Sequence, residues 1–324
     1  MKICVFGAGA IGGYLAVELA LAGNEVSVIA RGAHLRAIQH DGLRLRIGGL
    51  EKIARVPASD RPADFGPQSV VICALKAHQA WEACEQFLPL LGPQTSVVTA
   101  MNGIPWWYFN QVGDAFEGHH LQSVDRDGRQ WNTIGPARAI GCVVDPACAV
   151  LSPGVIAHHE FNRFTLGEPD GSRSERVQAL AQTLVQAGFD APVRENIRWN
   201  IWLKLWGNAC FNPISLLTLA TLDQITSEPG LRGVCTAVMH ECRSVAAALQ
   251  IDIPESMIQR RLDVAGLATG HKMSMLQDLE SGRSIEIDAL VSAVHELGVL
   301  THVSTPTVDI LLALTRERAR QAGI

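Results

Sequence analysis

The pattern of apolar and polar positions changes character near residue 195. Before that point, short apolar runs alternate with longer segments of helical period, and after it the helical period continues almost to the end of the chain. Alternating strands and helices are typical of a parallel sheet with helices on both faces. We therefore predict an α/β fold with a doubly wound, N-terminal parallel-sheet domain over residues 1–195 and a C-terminal all-α domain over residues 196–324.

The chain opens on a β-α-β unit. The apolar run Lys2–Phe6 is followed by a glycine turn, a helical segment over residues 11–22 and a second apolar run, Glu25–Ile29. Residues 69–75 and 95–100 are apolar almost throughout, as expected of strands that are buried on both faces.

Later segments of the N-terminal domain are also predicted. Residues 138–144 and 154–166 fit strands at the far edge of the sheet, and residues 174–187 fit a helix that leads into a strand over residues 188–193. In the C-terminal part, breaks in the helical pattern fall near Pro229, Pro254 and Gly270.

A glycine-rich segment lies between the first strand and the first helix and reads Gly7-Ala8-Gly9-Ala10-Ile11-Gly12. In a strand–turn–helix context, this spacing predicts a dinucleotide-binding loop. The first glycine permits a tight turn, the second lets the backbone approach a pyrophosphate, and the third lets helix and strand pack closely. The helix N-terminus adds unpaired N–H groups that favour phosphate. A glycine turn without a ligand is the alternative, and the context disfavours it.

The end of the second strand indicates which dinucleotide is bound. It reads Ala30-Arg31-Gly32 and carries no acidic residue. An Asp or Glu there would bond the ribose 2′-hydroxyl of NAD, whereas an Arg suits the 2′-phosphate of NADP. We therefore predict NADPH as the cofactor and Arg31 as a ligand of its 2′-phosphate. A solvated surface arginine is the alternative.

Two further polar residues follow predicted strands. Lys76 comes after the strand over residues 69–75, and Asn102 comes after the strand over residues 95–100. Ligands of open α/β sheets lie beyond the carboxyl ends of the strands, so both residues are expected near the cofactor. An ordinary loop lysine and an Asn-Gly turn are the alternatives.

A polar stripe runs along an apolar, tryptophan-rich helix in the second half of the chain. Lys204, Asn208 and Asn212 recur every four residues and share one helical face. Buried polar groups without partners are costly, so a lysine and two amides in this setting indicate a ligand with a carboxylate and a carbonyl. A stripe that faces water is the alternative.

The composition of the chain indicates which classes of binding partner are unfavourable. The formal net charge of −5 does not favour nucleic acid, which is bound by basic domains. No apolar stretch is long enough for a membrane span. The eight cysteines contain no Cys-x-x-Cys pair, which indicates a reducing, cytoplasmic setting without disulfides. His119-His120 and His158-His159 lack zinc spacing, so no metal site is expected. Two apolar helical segments, residues 234–249 and 308–314, fit either the core of a monomer or a homodimer interface.

In this order, the residues resemble the ketopantoate reductase (2-dehydropantoate 2-reductase) family over nearly the whole chain. The resemblance rests on the glycine loop, on Arg31, on Lys76 and on three longer matches: Asn102-Gly103-Ile104, the Lys204-x3-Asn208-x3-Asn212-Pro213 helix, and Ser274-Met275-Leu276-Gln277-Asp278 followed by Glu286-Ile287-Asp288. The glycine loop is shared with many families, whereas the lysine–asparagine helix and the pair of later motifs are far more specific.

The resemblance implies a Rossmann-type domain, a helical domain and an active site between them. It implies NADPH-dependent reduction of a 2-oxo acid, ketopantoate, to pantoate in pantothenate biosynthesis, with hydride delivered to the 2-oxo carbon. Lys204 would be the general acid and Glu286 would contact a substrate hydroxyl. The substrate ligands would be Asn102, Asn208, Asn212 and Ser274. Lys76, Asn102 and Glu286 would also lie at the cofactor.

Two segments fit the family pattern less well and leave the substrate open. Residues 105–109 are unusually aromatic and suit either a core or a substrate-lining role, and the polar residues 125–133 resemble an extra loop or hairpin. A reductase of another 2-oxo acid, another two-domain dehydrogenase (for 3-hydroxyacids, glycerol phosphate or opines) and a non-catalytic NADPH-binding sensor stay as alternatives.

Overall fold

A computed structural model describes residues 1–324, the whole chain. The chain forms two compact units. The first unit comprises residues 1–120 and 125–197, and the second comprises residues 121–124 and 198–324. Each unit has its own secondary structure, and the boundary lies where a long helix begins.

The first unit contains all the strands of the molecule. In chain order they are β1 (Lys2–Phe6), β2 (Glu25–Ile29), β3 (Leu43–Ile47), β4 (Leu50–Ala54), β5 (Ala58–Ser59), β6 (Gln68–Cys73), β7 (Leu91–Thr99), β8 (Ala139–Val144), β9 (Ala147–Ser152), β10 (Val155–Glu160) and β11 (Phe164–Gly167). Its α-helices are α1 (Ala10–Leu21), α2 (Gly32–Asp41), α3 (Ala77–Glu82), α4 (Arg129–Ile134) and α5 (Glu175–Gln186).

Seven of the strands form the main sheet, in the order β11-β8-β7-β6-β1-β2-β5. All neighbours are parallel except the antiparallel edge pair β8 and β11. The chain runs from β1 to β2 on one side and later to β6 on the other, so the direction of winding reverses at β1. This reversal opens the crevice in which doubly wound sheets bind ligands. The predicted α/β fold is confirmed.

A second sheet of four strands, in the order β4-β3-β10-β9, differs from the prediction. The segment 154–166 does not form one strand of the main sheet. It divides into β10, which pairs with β3 and β9, and β11 at the edge of the main sheet. Residues 188–193 also form no strand and make only isolated bridges.

Helix α1 packs against both sheets. Every residue from Gly12 to Leu19 is buried, so the helix is enclosed on all sides, which explains why its sequence lacks a polar face. Its one buried carboxylate, Glu18, accepts hydrogen bonds from the ammonium of Lys52 on β4 at 2.7 and 2.9 Å. A buried charge needs such a partner, and this ion pair fastens α1 to the second sheet.

The aromatic and polar segments singled out in the sequence both have structural explanations. Residues 106–109 are buried in the first unit, and the indole of Trp107 donates to Thr99 Oγ1 at 3.0 Å. The polar segment is not a hairpin. Asp125, which is fully buried, accepts the backbone N–H groups of Gln130 and Trp131 at the start of α4. Burial raises the pKa of Asp125, and these two N–H groups oppose that rise.

The second unit is helical, as predicted. Its helices are α6 (Ile197–Thr218), α7 (Leu222–Ser227), α8 (Pro229–Ala248), α9 (Ser256–Gly266), α10 (Ser274–Glu280), α11 (Ala293–Leu300) and α12 (Pro306–Gln321). One face of α8 is fully buried within the unit, and the Trp206 indole donates to the Met239 carbonyl there at 2.8 Å. Helix α12 leaves Ile310 (61%) and Leu314 (51%) exposed. No helix combines the length and the apolar composition that a membrane span requires.

All eight cysteines are free thiols, and all but Cys148 are buried. Burial raises the pKa of Cys4, Cys73 and Cys242 to about 12. These residues therefore act as small apolar side chains rather than as nucleophiles.

The enclosure of α1 gives a stability prediction. A Cβ at Gly13 would lie 2.6 Å from Ile156 Cγ1 on β10, so Gly13→Ala should destabilise the protein by ~1–3 kcal/mol through overpacking. Gly233→Ala in α8 is the matched control. It meets no atom within 4 Å and should stabilise by ~0.5–1 kcal/mol. Urea unfolding followed by circular dichroism measures both, and equal midpoints for the two variants would contradict the packing described for α1.

Candidate active site

The glycine loop is a tight turn at the end of β1. Gly7 has a φ of +100°, which strains any residue with a side chain, and a Cβ there would lie 2.7 Å from Leu75 Cδ2. The N–H groups of Gly7 and Ala8 both donate to the carbonyl of Ile29 at the end of β2, at 3.1 and 3.2 Å. The loop is thus bonded directly to the neighbouring strand.

The start of α1 is arranged to receive an anion. A Cβ at Gly12 would overlap the carbonyl oxygen of Gly7, whereas a Cβ at Gly9 meets nothing within 4 Å. The helix has no side-chain cap and no acidic residue in its first turn, and the N–H groups of residues 9–12 have no backbone acceptor. Unpaired N–H groups, a helix dipole and open space above Gly9 are what a pyrophosphate requires. The loop therefore fits a dinucleotide.

The other predicted residues of the first unit follow strands that end at the same edge of the main sheet. The register pairs Phe6 with both Ile29 and Cys73, and Cys73 with Thr99. Beyond these ends lie the glycine loop after β1, Arg31 after β2, Lys76 after β6 and Asn102 after β7. The sheet thus brings all four predicted features to one edge.

Arg31 is exposed and lies at the N-cap position of α2. No acidic residue occupies the first turn of that helix, so nothing on it would repel a phosphate. Lys76 has the corresponding position at α3 and follows Ala74 and Leu75, whose atoms lie against Gly7. Asn102 is half-buried in the bend after β7, next to Gly103, whose φ is +92°.

The second unit carries the polar stripe on α6. Lys204 and Asn208 are half-buried, and Asn212 is fully buried. Because the three residues are spaced by four on one continuous helix, they lie along one face over ~12 Å. The predicted helix and its face are therefore present.

Asn212 connects α6 to the start of α10, where the predicted residue Ser274 lies. Its Oδ1 accepts the Ser274 hydroxyl at 3.1 Å and the Met275 N–H at 3.1 Å, at the first turn of α10. Since only an oxygen can accept a backbone N–H, the orientation of the amide is fixed. Its Nδ2 is buried without a hydrogen-bond partner. An unpaired buried donor costs about 1–3 kcal/mol, so its presence is typical of a ligand site.

Glu286 is half-buried. It follows α10 and lies just before a short π-helix over Asp288–Ser292. Arg261 on α9 is a further residue at α6 that the sequence pattern did not single out. Its guanidinium occupies the space that a side chain at Gly207 would fill, on α6 next to Asn208. A glycine inside a helix costs about 1 kcal/mol of stability relative to alanine, so a glycine in the middle of α6 indicates that another group packs closely there. Gly207 was therefore the signal in the sequence for a neighbour such as Arg261.

A glycine loop at the reversal point of a doubly wound sheet, with a lysine–asparagine face on a separate helical unit, defines a nicotinamide-dependent oxidoreductase by class. Comparison with protein-family models identifies the family. The model for the ketopantoate reductase PanE/ApbA matches residues 3–171, and the model for its C-terminal part matches residues 196–319. The chain belongs to the ketopantoate reductase family, whose members use a nicotinamide cofactor.

Individual relatives agree with this assignment. The chain is 53% identical over 324 residues to a 2-dehydropantoate 2-reductase of Mesorhizobium japonicum, covering 100% of this chain and 99% of the relative. A candidate ketopantoate reductase of Ralstonia solanacearum MolK2 has a similar structure, with a TM-score of 0.95, 43% identity and coverage of 100% and 99%. A D-mandelate dehydrogenase bound to NADH and anilino(oxo)acetate shares the fold at a TM-score of 0.86 and 22% identity, with both chains covered fully.

The second and third glycines of the loop, Gly9 and Gly12, should respond differently to substitution by alanine. Gly12→Ala forces α1 away from Gly7, so both thermal stability and dinucleotide affinity should fall. Gly9→Ala meets no protein atom and should leave the melting temperature of the free protein unchanged, while affinity falls at least about tenfold because the methyl occupies the pyrophosphate's approach. Calorimetric titration with NADPH and thermal unfolding measure both. Unchanged affinity in Gly9→Ala would place the pyrophosphate elsewhere.

Proposed function

We propose that the protein reduces 2-dehydropantoate (ketopantoate) to pantoate with NADPH, a reaction of pantothenate biosynthesis. The observation that carries the proposal is the 53% identity to the Mesorhizobium 2-dehydropantoate 2-reductase along the whole chain. The lysine–asparagine face of α6 supports it, because this face supplies a cation and amides suited to a small 2-oxo acid. A cytoplasmic location fits both a metabolic reductase and the free thiols.

Within this proposal, residues 1–195 bind NADPH and residues 196–324 carry the catalytic lysine. The backbone of the loop from Gly7 to Gly12 holds the pyrophosphate, with Arg31 at the 2′-phosphate and Lys76, Asn102 and Glu286 as further contacts. Arg31 supports NADPH over NADH because a guanidinium forms charge-assisted bonds to a phosphate, and no carboxylate on α2's first turn opposes it. When bound, the cofactor supplies a hydride to the 2-oxo carbon.

Lys204 acts as the general acid. As the carbonyl carbon gains a hydride, negative charge develops on its oxygen. The ammonium of Lys204 stabilises that charge and donates the proton that completes the alcohol. Lys204 is half-buried on α6, so water screens its ammonium less than that of a fully exposed lysine.

The remaining predicted residues orient the substrate. Asn208 offers a hydrogen-bond donor. The Ser274 hydroxyl, whose proton is donated to Asn212 Oδ1, offers an acceptor. Asn102 contacts the substrate from the end of β7, and Glu286 accepts a hydrogen bond from a substrate hydroxyl. The unpaired Nδ2 of Asn212 supports a role for this residue as a donor to the substrate, while its Oδ1 holds Ser274 in place. Together these groups match a ligand with one carboxylate, one carbonyl and one hydroxyl.

A spectrophotometric assay of NADPH oxidation with a panel of 2-oxo acids tests the function. Ketopantoate with NADPH should give the highest kcat/KM, and NADH should be a poorer cofactor. The panel includes phenylglyoxylate, since the fold also serves a D-mandelate dehydrogenase. Faster turnover of another acid would keep the chemistry and replace the substrate. Tight NADPH binding without any turnover would identify a sensor instead of an enzyme.

Removal of the general acid should be selective for the chemical step. Lys204→Ala is expected to lower kcat by about 10²–10⁴-fold, with NADPH affinity retained. The matched control is Lys272→Ala, an exposed lysine of the same unit whose partner is Glu280, and it should retain full activity. Steady-state kinetics and NADPH titration measure both variants. Turnover of Lys204→Ala close to that of the unmodified enzyme would refute the assignment.

A further inference from the structure

The side chain of His34 connects the glycine loop to the second sheet. His34 lies in the first turn of α2, three residues after Arg31. One ring nitrogen, Nε2, is 2.6 Å from the carbonyl oxygen of Ala8, and the other, Nδ1, is 3.0 Å from the backbone N of Gly154 in the turn between β9 and β10.

These two contacts fix the protonation state of the ring. The N–H of Gly154 can only donate, so Nδ1 must accept and carries no proton. The carbonyl of Ala8 can only accept, so Nε2 must carry the proton and donate. Both bonds therefore form together only in the neutral ring with its proton on Nε2. Gly154 is itself held in place, since its carbonyl accepts the N–H of Arg44 on β3 at 2.9 Å.

The bond to Ala8 determines the direction of the next N–H group. In a trans peptide the carbonyl of Ala8 and the N–H of Gly9 lie in one plane and point in opposite directions. Because His34 holds the carbonyl on its own side, the Gly9 N–H is directed to the other side. That N–H has no backbone acceptor, and the space above Gly9 is open.

We propose that His34 is a positioning residue for cofactor binding. By holding the Ala8 carbonyl, it directs the Gly9 N–H toward the pyrophosphate of a nicotinamide dinucleotide. The inference rests on the proposed cofactor role of the glycine loop. It differs from that role in naming a side chain of α2, outside the loop, that sets the loop's binding geometry. Because a pyrophosphate is common to NADPH and NADH, His34 affects both cofactors equally, whereas Arg31 distinguishes them.

The chemistry of the ring suggests two variants that separate its two bonds. In His34→Gln the side-chain amide nitrogen reaches the position of Nε2 and can donate to Ala8. In His34→Asn the shorter amide reaches only the position of Nδ1 and can accept from Gly154. His34→Ala removes both bonds. The control is His40→Ala on the same helix, since that ring is 85% exposed and bonds only to its neighbour Asp41.

The experiment measures dissociation constants by calorimetry for NADPH, NADH and adenosine 2′-monophosphate, which lacks a pyrophosphate, and kcat at saturating NADPH. His34→Ala should weaken both dinucleotides by about tenfold, the value of one hydrogen bond to a charged group, and leave kcat and the affinity for adenosine 2′-monophosphate unchanged. His34→Gln should restore most of the dinucleotide affinity, and His34→Asn should not. His40→Ala should bind as the unmodified protein does.

Several outcomes would overturn the inference. Dinucleotide affinities of His34→Ala equal to those of the unmodified protein would show that the loop holds its geometry alone. An equal loss for adenosine 2′-monophosphate, or rescue by Asn rather than Gln, would reduce His34 to a packing role in α2. The variant Arg31→Ala tests the role of Arg31 separately from that of His34. If its ratio of NADPH affinity to NADH affinity equals that of the unmodified protein, the role of Arg31 is refuted and that of His34 is unaffected. Failure of the unmodified protein to bind either dinucleotide would refute both.

Discussion

The close approach of α1 to the turn after β1 is the contact on which the first unit depends. No side chain fits between Gly12 and the carbonyl of Gly7, and on the neighbouring face Gly13 lies against Ile156 of the second sheet. The helix is therefore wedged between two sheets with its N-terminus held at the reversal point of the main one. The packing that buries α1 also leaves its first N–H groups unpaired, so the same contact supplies stability and binding chemistry.

The second unit contains polar side chains within an apolar helix, and these need hydrogen-bond partners. Asn212 is fully buried, and its oxygen serves as a cap for α10. The hydrogen bond from the Ser274 hydroxyl to Asn212 Oδ1 brings Ser274 beside α6, although Ser274 and Asn212 are 62 positions apart in the chain. The buried amide of Asn212 thus fixes the placement of α10 against α6, and its Nδ2 remains available as a hydrogen-bond donor.

Local patterns were enough to predict most strands of the main sheet and to select the residues of the candidate site. The buried strands are continuous apolar runs. The glycine loop, Arg31 and the stripe on α6 are each recognised from residues that are close together in the sequence. The hairpin of β3 and β4 was missed although its apolar and charged residues alternate around Gly48-Gly49. Its parallel pairing with β10 could not be predicted, because the two strands are more than 100 residues apart.

The same limit applies to individual site residues. His34 and Arg261 look like ordinary helix-surface residues, because their importance lies in contacts with Ala8, Gly154 and Gly207. Sequence distance hides such contacts, since no local pattern specifies which surface a long side chain will meet. Asn212 was found from its helical spacing, but its bond to Ser274 required the folded chain.

The buried thiols have a consequence for the protein's chemical durability. Oxidants and alkylating agents attack the thiolate, and burial raises the pKa of Cys73 to about 12, so that this thiol stays protonated at neutral pH. Cys73 ends a strand of the main sheet three residues before Lys76, at the edge where the glycine loop lies. A member of a family of redox enzymes thereby keeps sulfur close to the glycine loop in a form that peroxide oxidises only slowly.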